Sequence, residues 1–495
     1  MIRTGRKEIV RLIIITAILW IVWWPIVTSS NIRMDSDRMI HTPGIALSQY
    51  VQEGRSALVL LLRFFGLDTW HPVRSGILFL LFFSISCWLL YFTIRRYTNW
   101  HGRYLDLFVL LYGLSPIWAY HGYFVLQIAA VGFGILLTVF SACMDSCMIT
   151  RPSFRGFRFL WEVIALVLLT FSMLIYQSLI ICYISVFLVL LFCVLLKGNP
   201  VSWKSLIPIF LRLLISFAIC YVISRALRTE SVTNNMDVQI RWGSDPVLHC
   251  LFRIAQEVGA ALLMATSRYF SLYSLGAILV LVLLIKRGKE GNKTHPLLWV
   301  TCLGMLLIPF GLSVLLGNVT VPRSQFALQL VAAFLPVCFL AETKERHRFL
   351  RITLIAVVVI QAALSLRLYH SDQVRNEQDI AVTEAVTAEL EDMDTSKPLA
   401  FIGVRRMESS PVWTEKADVY GRSFFEWIYT ADRPASATIP ALRLITAYNG
   451  KEYTGISGQQ QEQKAVESAQ DMPAYPSPGY IREEEDMIII KLSNP

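Results

Sequence analysis

Long apolar runs separated by short polar connections occupy the first three quarters of the chain. A helix needs about 20 mainly apolar residues to cross the hydrocarbon core of a bilayer, and eleven runs approach or reach that length. The pattern therefore predicts a polytopic α-helical membrane protein with about eleven transmembrane helices. The predicted spans lie near residues 9–28, 73–94, 104–120, 123–142, 159–176, 178–196, 205–224, 268–286, 296–316, 325–341 and 349–368.

The pattern changes after residue 368, where polar and acidic residues become frequent. Apolar residues recur with helical spacing in the segment HSDQVRNEQDIAVTEAVTAELEDM, which predicts a helix. PLAFIGV and DMIIIKL predict strands, RLITAY is a third strand candidate, and the stretches near 431–440 and 457–478 are predicted loops. We therefore expect a transmembrane domain over residues 1–368 and a soluble α/β domain over residues 369–495.

Composition and charge support this division. Of the 495 residues, 55% are hydrophobic and only 16% are charged, whereas soluble domains carry about 25% charged residues. This balance excludes nucleic-acid-binding proteins and secreted disulfide-rich domains. The net charge of +9 divides into +18 for residues 1–368 and −9 for residues 369–495.

The distribution of Lys and Arg predicts the orientation in the membrane. Basic residues are retained on the cytoplasmic side during insertion, and alternate connections hold 20 of the 33 basic residues of the first domain. We expect a cytoplasmic N-terminus, an uncleaved first span, and an extracytoplasmic C-terminal domain. The basic connections are residues 1–11, 95–103, 151–158, 197–204, 286–293 and 344–351.

Three predicted outer connections are longer or more polar than a simple turn. The first covers residues 29–72 and includes the amphipathic stretch SQYVQEGRSALVLLLRFFG, which is too short to span and is expected to lie along the interface. The second covers residues 225–268 and leads into another amphipathic segment. The third is GNVTVPRSQ, which contains Arg323.

Acids are scarce in the predicted transmembrane domain, and two of them stand together in the first outer connection. Asp35 and Asp37 lie in NIRMDSDRMIH. An extended backbone would point both carboxylates the same way, whereas a helical turn would separate them. Such carboxylates suit a general base for a hydroxyl nucleophile, or oxygen ligands for a divalent cation such as Mg²⁺ or Mn²⁺. A helix cap followed by a solvated turn is the plainer interpretation.

Arginine, rather than lysine, is the basic residue of the first two outer connections. Its planar guanidinium forms paired hydrogen bonds with phosphate oxygens, so we expect an anionic phosphate ligand at the outer interface. Contact with ordinary lipid headgroups is the alternative. The candidates among these arginines are Arg38, Arg55, Arg225, Arg228, Arg241 and Arg253.

The sequence gives less support to a proton-driven pump, a nucleotide-binding loop or a cysteine metal site. Arg212 and Glu162 are charged residues within predicted spans, and such residues are candidates for function, but no series of acids suits a proton-driven pump. Glycine-rich phosphate loops are absent from the sequence. Cys143 and Cys147 have no histidine or second cysteine pair nearby, so no metal site is predicted there.

Several short motifs follow one another along the chain with a defined order and spacing. Asp35-Ser36-Asp37 follows the first span, and Gly54-Arg55 comes 17 residues after Asp37. The later motifs are Tyr176-Gln177-Ser178, Arg323, the helix with Arg375 and Asp379, and the closing segment AYPSPGYIREEEDMIIIKLS. In this order and spacing the chain resembles the Gtr-type (type II) bacterial glucosyltransferases, a family of the polytopic GT-C class.

The resemblance implies a GT-C-like catalytic domain that moves a monosaccharide, glucose or a related hexose, with inversion. The donor would be a polyprenyl-phosphate sugar, and the acceptor a hydroxyl of a cell-surface polysaccharide such as O-antigen, or of a lipid-linked glycan. Transfer would occur at the outer face of the bacterial cytoplasmic membrane. A polyprenyl-phosphate glycosyltransferase and a flippase would act upstream.

The resemblance also implies roles for particular residues. Asp35, and after it Asp37, would be the catalytic base. The donor phosphate or other parts of the substrates would be bound by Arg38, Arg55, Gln177, Arg241 and Arg323. Two alternatives stay open: a glycan polymerase or ligase that uses a polyprenyl-diphosphate-linked glycan and the second outer connection, and a lipid-linked sugar transporter that depends on Arg212.

Overall fold

A computed structural model describes most of the chain as two compact units. The helical unit comprises residues 1–28 and 47–365, and the tail unit comprises residues 29–46 and 366–495. Parts of the predicted connections 151–158 and 225–268, and the start of the predicted span 268–286, lie outside the described residues. The described residues are 6–33, 35–150, 156, 158–228, 239–263, 272–289, 296–343, 347–408, 413–414, 416–427, 429–430 and 433–494.

The helical unit consists of helices, as its apolar runs predict. Two further helices, Pro43–Gln52 and Arg348–Leu390, contribute residues to both units. The helices of the unit itself are Arg6–Thr28, Ser56–Phe64, Pro72–Thr98, Gly102–Gly113, Ile117–Tyr123, Val125–Thr150, Arg158–Ile175, Leu179–Leu196, Trp203–Ala226, Val247–Leu262, Tyr273–Lys289, Pro296–Leu307, Gly311–Leu316 and Leu328–Glu342, with 3-10 turns at Ile308–Phe310 and Pro322–Ser324.

Many of these helices have the length and composition of membrane spans. Within the described part of the chain, seven helices are long and apolar enough to cross a bilayer, and Phe159–Ile175 and Leu328–Glu342 are shorter apolar helices. The run near 104–120 is divided at Ser115-Pro116, because proline disfavours a helical conformation in the residue before it. The chain is thus a helical protein of membrane type, and the count of eleven spans remains a prediction.

A network of charged and polar side chains lies among the apolar helices. Arg212 is almost fully buried; its Nη1 donates to Glu162 Oε2 at 2.6 Å, and its Nη2 donates to Asp145. Trp161 Nε1 donates to the other oxygen of Asp145 at 2.9 Å, and Tyr183 also donates to this carboxylate. The two conspicuous charges of the sequence, Arg212 and Glu162, therefore form an ion pair that Asp145 completes.

The tail unit contains a three-stranded sheet with helices packed against it. The strands are Leu399–Ile402 (β1), Ile481–Glu483 (β2) and Ile488–Lys491 (β3). Their order is β1-β3-β2; β3 pairs with β1 in parallel and with β2 antiparallel. The helices of the unit are Ser36–His41, Phe424–Trp427, Thr438–Asn449 and Gln459–Ser468.

Two of the predicted strands are confirmed, and the third is wrong. PLAFIGV and DMIIIKL contain β1 and β3, whereas RLITAY lies in the helix Thr438–Asn449. Ala441, Leu442, Leu444 and Ile445 are all buried, which is the spacing of one helical face, and a six-residue window is too short to separate it from a strand. The predicted loops also contain helix, since Gln459–Ser468 falls within 457–478 and the helix at Thr438 begins within 431–440.

Residues just after the first membrane helix belong to the core of the tail unit. Ile32 packs in the same apolar cluster as Val386, Phe401 and Ile488. Beside it, Arg33 donates to Asp372 through Nε and Nη2, at 2.8 and 2.7 Å. Arg33 and Asp372 are each 1% exposed, so this part of the first outer connection is fixed to the C-terminal segment.

The buried network continues along the helix Arg348–Leu390. Arg375 donates to Asp372 at 2.6 Å, to Asp379 at 3.1 Å and to the carbonyl oxygen of Ile32 at 2.9 Å. Burial alone would lower the pKa of Arg33, but the charge and hydrogen bonds of Asp372, together with Tyr420 and Tyr369, outweigh burial and raise that pKa. Arg33 therefore stays charged, and the folded tail unit needs the Asp372 carboxylate to compensate that buried charge.

Replacing Asp372 is expected to destabilise the tail unit. Asp372→Asn leaves Arg33 and Arg375 buried without their shared carboxylate, and removal of one partner of a buried pair costs about 3–5 kcal/mol. We expect a clear fall in the thermal unfolding temperature of the full chain in detergent, and faster proteolysis after residue 366. Asp486→Asn, which removes the exposed partner of Lys464, is the control and should leave both unchanged. Equal stability of the two variants would contradict the assignment.

Candidate functional site

The predicted site residues are divided between the two units. Arg55, Gln177, Arg241 and Arg323 belong to the helical unit. The aspartates Asp35 and Asp37, together with Arg38, belong to the tail unit. Each group is described within its own unit.

A glycine turn positions Arg55. The helices Pro43–Gln52 and Ser56–Phe64 are separated by a turn in which Gly54 has a φ of 77°. A side chain is excluded there for two reasons: positive φ is unfavourable for residues with a Cβ, and a Cβ would lie 2.8 Å from Ser224 Oγ and 3.1 Å from Gln177 Nε2. This close approach brings the turn at Gly54 against the helix Trp203–Ala226 and the turn that follows the helix Arg158–Ile175, and it leaves Arg55 at the end of its own turn.

Arg55 lies among polar and aromatic partners. Its Nη1 donates to Gln127 Oε1 at 3.1 Å and lies 3.3 Å from Glu53 Oε2, and its guanidinium stacks 4.7 Å above the Tyr176 ring. Its buried Nε has no hydrogen-bond partner among the described residues. Gln177 Nε2 donates to the carbonyl oxygen of Glu53 at 2.8 Å. Arg55 and Gln177 are therefore neighbours, and Arg55 has a buried donor without a described partner.

Arg323 lies close to the same tyrosine. It sits in the 3-10 turn Pro322–Ser324, and its guanidinium is 4.5 Å from the centroid of the Phe124 ring. The next residue, Ser324, has its Oγ 3.4 Å from the Tyr176 hydroxyl. No carboxylate of the described residues forms an ion pair with Arg323. The helical unit thus brings together Arg55, Gln177 and Arg323, which are far apart in sequence.

A cavity adjoins the other side of the Arg323 turn. Glu257 Oε1 accepts hydrogen bonds from Thr320 Oγ1 at 2.9 Å and Gln325 Nε2 at 2.6 Å. These side chains form one wall of a cavity of about 280 Å³. Burial raises the pKa of Glu257, and the hydrogen bonds from Thr320 and Gln325 oppose that rise.

Arg241 is placed differently from the other predicted arginines. Its backbone N–H donates to the carbonyl oxygen of Leu316 at 2.7 Å, which fixes the turn before the helix Val247–Leu262. No described contact joins its side chain to Arg55 or Arg323. Arg253 of the same connection is paired with Asp245 at 2.6 Å, so its charge is already compensated.

The Asp35-Ser36-Asp37 motif forms a helix start in the tail unit. Asp35 precedes the helix Ser36–His41 with a φ of 72°, and its side chain makes no capping hydrogen bond. The motif therefore has the helical form, which separates the two carboxylates. Asp35 is partly exposed and Arg38 is exposed.

Asp37 is enclosed within the tail unit. Only 4% of the residue is exposed, and its Oδ2 lies 3.6 Å from Arg443 Nη1. Burial raises the pKa of Asp37, while the Arg38 backbone N–H and the Arg443 charge oppose the rise. A buried and paired carboxylate is less accessible to an acceptor hydroxyl than Asp35 is.

Several residues of these clusters were not predicted from the sequence. Glu53 is part of the motif that includes Gly54-Arg55, and the scarcity of acids in the first domain is a signal that could have identified it. Glu257 lies on the amphipathic segment of the second connection, but its partners Thr320 and Gln325 are too distant in sequence to be inferred. Within the described ranges, no three His, Cys, Asp or Glu side chains group as metal ligands, and binding of Mg²⁺ or Mn²⁺ stays one of the two alternatives for Asp35 and Asp37.

Comparison with known proteins identifies the family. No curated protein sequence and no solved structure matches the chain significantly. The family model described as Glucosyl transferase GtrII matches residues 24–340. This range includes Arg55, Gln177 and Arg323, the residues that the fold brings together. Because the match extends over well more than half of the chain, the protein belongs to the GtrII family of glucosyl transferases, and its general chemistry is glycosyl transfer.

Proposed function

We propose that this protein transfers a hexose, with glucose as the first candidate, from a polyprenyl-phosphate donor to a hydroxyl of a cell-surface polysaccharide or lipid-linked glycan. The observation that carries the proposal is that Arg55 stacks on the Tyr176 ring, while the hydroxyl of Tyr176 lies 3.4 Å from Ser324, the residue that follows Arg323. Two guanidinium groups in a helical unit of membrane type suit a ligand that has a phosphate head and a lipid tail.

The chemistry of such a donor explains the need for these cations. Bond breakage between the sugar C1 and the phosphate oxygen leaves a polyprenyl phosphate whose negative charge grows in the transition state. Guanidinium groups aimed at that charge lower the barrier, because they stabilise the transition state more than the ground state. The phosphate ester is itself the activated group, so a nucleotide-binding domain is not needed.

We retain Asp35 as the proposed base. In an inverting transfer, the acceptor oxygen attacks C1, its proton passes to a carboxylate, and the bond from C1 to the phosphate oxygen breaks. The base has to approach the acceptor hydroxyl to about 3 Å. Asp35 is partly exposed, whereas Asp37 is enclosed and paired with Arg443. Glu53 neutralises Arg55 at 3.3 Å, which favours a supporting role for that acid.

The proposed setting is the bacterial cytoplasmic membrane, with a cytoplasmic N-terminus and transfer at the outer face. Arg38 and Arg241 are proposed to assist substrate binding, and Gln177 to contribute to the donor site. Donor supply requires an enzyme that loads hexose onto polyprenyl phosphate and a flippase that moves the product outward. A GT-C fold is the architecture that this reaction favours.

The base assignment predicts different outcomes for three acids. Asp35→Asn should reduce transfer of labelled glucose from undecaprenyl-phosphate-glucose to endogenous glycan by about 10²–10⁴-fold, because proton removal is lost. Asp37→Asn should lower the thermal stability more than the rate per folded molecule. Glu53→Gln should have an intermediate effect, because Arg55 loses its counter-charge. The measurement uses membranes of a strain that lacks the protein, complemented with each variant at matched expression.

The relative activities of the three variants identify the general base. Full activity of Asp35→Asn together with inactive but folded Glu53→Gln would move the base to Glu53. Full activity of all three variants would remove general-base catalysis by these acids from the proposal.

The phosphate assignment predicts a loss of transition-state stabilisation on removal of either arginine. Arg323→Met keeps the aliphatic stem over Phe124 but removes the charge, and loss of one such donor costs about 10²–10³-fold in rate. Arg55→Met should have a similar effect. Arg63→Met, an exposed arginine in the same connection as Arg55, is the matched control and should keep wild-type transfer. Comparable losses in Arg63→Met and Arg323→Met would point to a general effect of surface charge instead.

A further inference from the structure

The cavity beside the Arg323 turn has a hydrogen-bonding wall and an apolar wall. Its volume of about 280 Å³ is at the lower end of the range of about 300–1,000 Å³ found for small-molecule sites. This size suits one compact group rather than a chain of several sugars. The polar wall is Glu257, Thr320 and Gln325, and the apolar wall includes Phe310, Ala260 and Leu328.

The polar wall is held in place by its own hydrogen bonds. Thr320 donates to Glu257 through Oγ1 at 2.9 Å and through its backbone N–H at 3.3 Å. Gln325 Nε2 donates to Glu257 at 2.6 Å and also bonds the Thr320 hydroxyl. Thr320 and Gln325 are almost completely buried. The wall is therefore rigid, and a ligand does not have to order it.

The wall still has unused hydrogen-bonding capacity. A carboxylate has about four lone-pair positions, and the described contacts occupy three of those on Glu257. The Oε1 atom of Gln325 accepts no hydrogen bond from the residues that the structure describes. Both groups are acceptors, and acceptors beside an apolar face suit the hydroxyl groups of a neutral ligand rather than an anion.

The apolar wall favours a ligand with a C–H face. Phe310 is almost fully buried, and its ring packs edge-on against Tyr273 at 5.9 Å between centroids, which fixes its orientation. A pyranose ring has hydroxyl groups around its edge and C–H groups on its faces, so it matches a cavity whose lining combines hydrogen-bond acceptors with an aromatic ring.

The cavity is connected to the proposed phosphate site by a very short segment. Thr320 and Gln325 bond Glu257, while Arg323 and Ser324 between them face Phe124 and Tyr176. Because the six residues 320–325 contribute to both the cavity and the proposed phosphate site, the two sites suit two parts of one ligand. In a sugar phosphate, the sugar and the phosphate are one bond apart.

We infer that the cavity of Glu257, Thr320 and Gln325 binds the hexose of the lipid-phosphate donor, and that it is the site that recognises the sugar. This inference rests on the proposed function, since it assigns the other part of the same donor. Glu257 and Gln325 are assigned as acceptors for sugar hydroxyl groups, and Phe310 as the surface under the ring. The arginines hold the phosphate irrespective of the sugar.

The test separates sugar binding from phosphate binding. Purified full-length protein in nanodiscs is titrated with undecaprenyl phosphate and with undecaprenyl-phosphate-glucose. Wild type should bind undecaprenyl-phosphate-glucose at least about tenfold more tightly than undecaprenyl phosphate. The reason is that buried polar groups positioned to hydrogen-bond the sugar are left unpaired when the ligand has no sugar. Glu257→Gln should lose most of this preference and keep its affinity for undecaprenyl phosphate.

A second variant addresses the cavity volume without touching its hydrogen bonds. Ala260→Phe fills the space beside Glu257 and should also remove the preference for the glycosylated lipid. Gly259→Ala on the same helix is the matched control, since a Cβ at Gly259 meets no atom within 4 Å, and it should behave as wild type. Unchanged undecaprenyl phosphate affinity shows that each variant is folded.

The possible failures are distinguishable. If wild type binds neither lipid, the proposed function fails. If wild type binds and transfers, but Glu257→Gln and Ala260→Phe both keep the full preference for the glycosylated lipid, the sugar site lies elsewhere and the inference is overturned. It is also overturned if the two variants lose affinity for both lipids equally while Gly259→Ala does not.

Discussion

Arginine side chains removed from water need carboxylates beside them, and in both units this requirement joins segments that are distant in sequence. In the helical unit, Arg212 connects Asp145 and Glu162, which belong to different helices. In the tail unit, Arg33, which follows the first helix, shares Asp372 with Arg375 of the helix Arg348–Leu390. Leaving any of these charges unpaired would cost several kcal/mol, so the segments that carry them are fixed together. The apolar packing supplies most of the stabilisation, and the ion pairs define which segments meet.

Against this background, the arginines of the candidate site differ from those that hold the fold. Arg212 and Arg33 are almost fully buried and have carboxylate partners. Arg323 lies over an aromatic ring instead, and Arg55 keeps a buried donor without a described partner beside its contact with Glu53. A cation that rests on aromatic surface without a carboxylate, as Arg323 does among the described residues, is oriented but not neutralised. Arg323 therefore differs most from the structural arginines, whereas the charge of Arg55 is partly compensated by Glu53.

Much of the helical architecture follows from local patterns in the sequence. The apolar runs contain their own helical signal, and Gly54 marks a turn because its backbone requires positive φ. Local sequence patterns do not predict every element or contact. RLITAY is a strand candidate by its local pattern because six residues do not define a period, and the pairing of Asp37 depends on Arg443, about 400 residues later. The pairing of Glu257 with Thr320 and Gln325 likewise has no local signal. The order of the motifs, rather than the hydrophobic period, predicts that Arg55, Gln177 and Arg323 belong to one site.

The turn at Gly54 also bears on how this protein can change over evolutionary time. The position contributes no functional group, yet its missing side chain lets the backbone meet Ser224 and Gln177. The walls of the cavity beside the Arg323 turn, in contrast, are side chains such as Ala260 and Leu328, whose size can vary without breaking an ion pair. The shape of that cavity is therefore open to gradual change, whereas any substitution of Gly54 meets both a strained backbone and two occupied positions, although the residue carries no chemistry of its own.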